Sequence, residues 1–137
     1  MGGMHVAIEV GKYKLQVALG SAGELMELDN QPRAVKMLAQ RLAELTCARV
    51  LIEGGSDQNV LVAALRAQQL PVVIINPRRA REFAKSIGQL AKTDHLDVRM
   101  LALYGERIEP PIRELRDEQN QALRARWVRR EQLSRWW

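Results

Sequence analysis

Residues 4–10, MHVAIEV, alternate and carry β-branched side chains, which predicts a strand. Gly11 and Lys12 mark a tight turn, and YKLQVAL at 13–19 predicts a second strand. Ser21, Ala22 and Gly23 turn the chain again before a short third strand, ELMEL, at 24–28. Asp29 or Asn30 then offers an N-cap, Pro32 suits a first helical turn, and Val35, Leu38, Leu42 and Leu45 recur at helical spacing, predicting a helix over 31–46. RVLIE at 49–53 reads as a buried strand broken by Gly54 and Gly55. Ser56 or Asp57 would cap the next helix, with Val60, Leu61, Ala64 and Leu65 as its apolar face. VVIIN at 72–76 is another fully buried strand. Asn76-Pro77 opens a helix that runs to about Ile87, where Gly88 breaks it. A further helix is expected over 94–107, and Pro110-Pro111 sets off a last, arginine-rich helix at 112–135.

The order β-β-β-α-β-α-β-α cannot form an all-parallel sheet. It predicts an α/β fold, a mixed five-stranded sheet with helices on both faces and the first strand central. The 137 residues suit one domain with a real core, and 47% hydrophobic with 27% charged residues is ordinary for a globular chain. No apolar run approaches the length of a membrane span, and the first residues lack the pattern of a signal peptide. Cys47 stands alone and cannot form an internal disulfide, which points to a cytoplasmic protein.

Charge changes this picture by its distribution. The formal charge is +5; residues 112–137 hold seven arginines against four acids, a net +3, and Arg78, Arg79, Arg81, Lys85 and Lys92 face only Glu82 across 78–92. Two basic stretches suit either a polyanion, most commonly a phosphate backbone, or a solvated helical face.

Four acids occupy unusual positions. Glu9 lies inside the first strand, where a carboxylate is costly unless paired; Lys12 or Lys14 could pair with it. Glu53 ends a strand beside two glycines, where open α/β sheets place ligands, or it is a strand-end residue facing solvent. Asp94 and Asp97 stand three residues apart near a helix start, on one side of a helix. They read either as helix-start residues, with Asp94 the cap after Thr93 and Asp97 at the third position, or as ligands. Together the four make an oxygen-rich set of the kind hard divalent cations prefer. Two such ions about 4 Å apart can assist phosphodiester cleavage.

"AIEVGKYKLQVAL", "VLIEGG" and above all "NPRRAREFAKSIGQLAKTDHLD" resemble the DEDD transposases of bacterial insertion sequences, the type numbered one hundred and ten, with the Piv-type DNA invertases as relatives. The resemblance implies a ribonuclease H-like, Holliday-junction-resolvase-like (RuvC-like) domain over 1–109 and the start of a helical, coiled-coil-like linker over 110–137. It implies Mg²⁺ or Mn²⁺ held by Glu9, Glu53, Asp94 and Asp97 as the catalytic set, and action on DNA phosphodiesters. Glu9 stands where the family motif has aspartate. Lys12, Arg78, Arg79, Arg81, Lys85 and Lys92 would then contact nucleic acid. A structured guide RNA is a further implied partner.

Family members continue into a second domain with a catalytic serine, and Ser134 stands in no such motif. The expectation is therefore an excised or truncated domain, not by itself competent for transposition. Leu115, Leu123, Trp127 and Val128 suggest an apolar seam for a second copy of the chain, and Trp127, Trp136 and Trp137 among arginines could instead stack bases. Two rivals remain: a non-catalytic nucleic-acid-binding module disabled at Glu9, and a dimerisation fragment.

Overall fold

The computed structural model describes residues 3–53, 58–88 and 97–112. Three strands come first: β1 (Met4–Val10), β2 (Lys14–Leu19) and β3 (Leu25–Asp29). They pair antiparallel as a meander. After α1 (Pro32–Glu44), β4 (Cys47–Glu53) returns parallel to β1. After α2 (Asn59–Ala67), β5 (Val72–Ile75) pairs parallel to β4. The sheet order is β3-β2-β1-β4-β5, so β1 is central as expected.

Alternation along each strand divides the core in two. Val6, Ile8, Leu15, Val17, Val50 and Ile52 face α1 and α2, and all are sealed from solvent. The other face carries Ala7, Ala18, Leu51, Val73 and Ile75 and is covered by α3 (Pro77–Ser86) and α4 (Val98–Ile108). Helices on both faces match the expectation. The helix expected over 112–135 lies, beyond its first residue, outside the described residues, as do Ser56 and Asp57.

Two helix starts differ from the sequence pattern, each for a local reason. Gln31 caps α1 and makes no side-chain cap bond. Asp29 instead takes Lys14 Nζ at 2.6 Å, and Asn30 Nδ2 donates to Gly11 O at 2.7 Å, so both candidate caps serve the meander. The last helix begins at Val98, not at 94. Asp97 is its N-cap in extended conformation, its Oδ1 accepting the Met100 N–H at 2.9 Å. Asp97 is therefore not a third-position helical residue, and the shared helical side expected for Asp94 and Asp97 is not formed by this helix. The Asn76-Pro77 start is as expected: Asn76 Oδ1 accepts from Arg78 N at 2.9 Å, with Pro77 in the first turn.

Candidate metal and nucleic-acid site at the carboxyl edge

The register of the two central strands places Ile8 beside Ile52, so the next step places Glu9 beside Glu53. Neighbouring strands run about 4.8 Å apart. Both glutamates follow by two residues a side chain of the α3/α4 face, Ala7 and Leu51 respectively, so both project to that face. Each is half-buried. Two carboxylates are thus held side by side at the end of the sheet where the parallel strands finish.

The start of α4 carries a third acid, Asp97. The C-terminal end of the helix is tied to the opposite edge. Arg49 Nε donates to Pro110 O at 2.7 Å, and Arg49 stands beside His5 near the start of β1. Glu106 accepts from Ser21 N at 2.9 Å and from Ser21 Oγ at 2.7 Å. The helix packs on β1, β2 and β4. Its 11 residues span about 16 Å at about 1.5 Å each, and Arg99 near its start donates from Nη2 to Gly23 O of the β2–β3 turn at 3.4 Å. Gly105 makes this close seating possible: a Cβ there would lie 2.4 Å from Leu51 Cδ1.

The basic residues flank the carboxyl edge. Ile75 pairs with Glu53, and Asn76 leads directly into α3, so Arg78 and Arg79 begin a helix beside Glu53. Arg78, Arg79, Arg81 and Lys85 are all exposed, with Arg78 Nε 3.3 Å from Glu82 Oε1. Lys12 lies in the β1–β2 turn just past Glu9. Asp94 and Lys92 lie outside the described residues.

The structure therefore brings Glu9 and Glu53 together on adjacent strands, and Asp97 caps the start of α4 without joining them in a cluster. Among the described residues, no three His, Cys, Asp or Glu side chains form a ready cluster for an ion. The donor chemistry nonetheless fits a hard divalent cation, because every candidate is a carboxylate. Capping does not exclude Asp97: an ionised carboxylate accepts several bonds, and the cap uses one oxygen.

Arg49, Gly105 and Tyr13 were not expected to matter. Gly105 could have been noticed as a glycine inside an apolar helical pattern, whereas nothing local marks Arg49, whose main partner lies 61 residues away.

An antiparallel meander leading into parallel strands, with acids at the carboxyl ends of the central pair, is a ribonuclease H-like fold of the DEDD kind. The model of the IS110-type DEDD family, described as "Transposase", matches residues 6–137. The chain belongs to that family and is a transposase domain of the DEDD type, with transposition and DNA recombination as its setting and DNA as the family's partner. The family generally uses divalent metal. No curated protein matches the chain. Among the described residues no helix is long and apolar enough to cross a membrane.

Proposed function

We propose that the carboxyl edge is a divalent-metal nuclease site acting on DNA phosphodiesters, with Glu9, Glu53, Asp97 and Asp94 as its acid set. The observation that carries this reading is the side-by-side placement of Glu9 and Glu53 on one face of the two central strands. Two carboxylates on adjacent strands offer the oxygen donors that a hard divalent cation takes. A bound Mg²⁺ or Mn²⁺ would supply positive charge there and polarise a phosphoryl oxygen. Glu9 and Glu53 would hold the ion from the sheet and Asp97 from the start of α4, with Asp94 as the fourth acid of the set.

The α3 arginines support the same reading. This helix has no acid in its first turn and places Arg78 and Arg79 at its positive end. Basic residues there oppose the helix dipole, and the exposed Arg78–Glu82 pair offsets that only slightly. A phosphate strand across the edge accounts for them, with Arg78, Arg79, Arg81, Lys85, Lys92 and Lys12 positioning the backbone without reading sequence. Residues 1–109 form the metal-binding unit in this reading. Residues 110–137 are the linker in this reading, the apolar residues of their sequence suiting a second copy of the chain, with a guide RNA as a further ligand of the basic residues.

Isothermal calorimetry with Mn²⁺ tests the reading. The native chain takes up metal, and Asp97→Asn and Glu53→Gln lose it; equal uptake by all three chains overturns the site.

One observation favours a second reading. Glu9 replaces the family's aspartate and carries its oxygens one methylene farther from β1, whereas Mg²⁺ demands near-ideal geometry. The domain then holds nucleic acid without cutting it. Cleavage of branched DNA by Glu9→Asp but not by the native chain selects this reading; cleavage by both selects the first.

A further inference from the structure

We infer that Tyr13, on the β1–β2 turn, is a stacking platform for an unpaired nucleobase lying next to the acid pair. The inference rests on the reading that a nucleic-acid strand crosses the carboxyl edge, and it adds which form of strand the edge prefers.

Turns between strands usually carry Gly, Asn, Asp, Ser or Pro, each for a backbone reason. Tyr13 supplies none of these, and its side chain is 72% exposed, so burial in the core does not account for it. The turn is nevertheless held firmly. Gly11 N donates to Lys14 O at 2.9 Å, and Asn30 N donates to Tyr13 O at 2.8 Å. Asn30 Nδ2 closes the other side on Gly11 O at 2.7 Å. Gly11 is needed for this closure, because a Cβ would lie 2.9 Å from Lys14 O. An aromatic ring on a pinned turn is pre-organised, which lowers the entropy lost when a ligand packs on it.

Place and charge indicate the ligand. The turn begins at Gly11, two residues past Glu9 and about 7 Å along the strand direction, so a strand that reaches Glu9 lies beside the turn. Lys12 Nζ sits 5.3 Å from the Tyr13 ring centroid. The ammonium covers one side of the ring, and the high exposure leaves the other side open. A base has a π-face to offer, and the adjoining phosphate suits the ammonium. Bases inside a duplex are already stacked on both faces, so the platform selects a single-stranded or flipped nucleotide.

The test uses the full chain with EDTA present, which separates stacking from the metal site. Fluorescence anisotropy measures binding to oligothymidine and to a blunt duplex, and thermal unfolding monitors the fold. Tyr13→Ala should weaken oligothymidine binding roughly tenfold and leave duplex binding within about twofold, while Tyr13→Phe retains both. Photocrosslinking of a single strand carrying 5-iodouracil should map to Tyr13. Unchanged oligothymidine binding by Tyr13→Ala, equal losses on both nucleic acids, or a crosslink elsewhere overturns the inference. Each of those results leaves the acid set standing, because that is read by Mn²⁺ uptake.

Discussion

The two faces of the sheet are built from different side chains. The face under α1 and α2 is filled by branched aliphatics such as Val6, Ile8, Val17 and Ile52, which interlock into a thick, dry layer. The face under α3 and α4 keeps Leu51, Val73 and Ile75 but has alanine at Ala7 and Ala18, and meets Ala80, Ala84 and Ala102 of the helices, with Gly105 seated against Leu51. Small side chains let α4 lie close to β1 and β4. That closeness fixes how α4, with Asp97 at its start, is seated on the sheet. The first face supplies stability and the second supplies position. Within the single string Ile8-Glu9 both roles appear one residue apart, because a strand sends successive side chains to opposite faces.

The sharpest break in this contrast is a cavity in the aliphatic face. Ile8→Ala should cost about 2–5 kcal/mol in urea unfolding and leave Mn²⁺ affinity of the folded fraction near native. On the other face, Gly105→Ala should cost about 1–3 kcal/mol through overpacking and also weaken Mn²⁺ binding, because the added methyl lifts α4 from Leu51. Adding Leu51→Val to that variant should recover part of both losses. If Gly105→Ala changes stability while metal affinity stays native, the second face does not set position.

Asp97 sharpens the contrast further. Asp97→Ala should lose about 0.5–2 kcal/mol by removing the cap, whereas Asp97→Asn keeps the cap and the stability. Both should lose metal uptake, so Asn separates the cap from the site.

The smallest effect belongs to the amino edge, where charged groups tie elements together. His5 sits 3.1 Å from Arg49 Nη1. Burial first, then the Arg49 guanidinium, holds its pKa below the ordinary 6.5, against the opposing pull of Glu106 and Glu109. Neutral His5 is therefore favoured in the folded chain while the unfolded chain takes up a proton below about 6.5. The unfolded state then binds more protons, so this contribution is present above that pH and is lost as pH falls through it. Thermal unfolding at pH 7 and pH 5 should show a smaller drop in His5→Gln than in the native chain.

Much of this architecture can be read from residue order. MHVAIEV and VVII announce strands by composition, and Asn76-Pro77 announces a helix start that tertiary structure leaves alone. Sequence alone sets the start of α4 too early, because Thr93, Asp94 and Asp97 are all cap-type residues close together and local preference cannot rank them. It offers Asp29 or Asn30 as the cap of α1, but distant partners, Lys14 and Gly11, claim both side chains instead. Glu9 and Glu53 stood out individually as carboxylates in apolar strands. Their adjacency depends on a parallel pairing between residues more than forty positions apart, which periodicity does not encode. Tyr13 carries no local signal, and Gly105 carries only that of a glycine inside an apolar helical pattern; the importance of both lies in what surrounds them in space.

Anomalous scattering from a crystal soaked in Mn²⁺ is the most direct test of the central claim. The account predicts a peak at the carboxyl edge within coordination distance of Glu9, Glu53 and Asp97 together. A peak held by none of these residues, or by one of them alone on a separate surface, contradicts it.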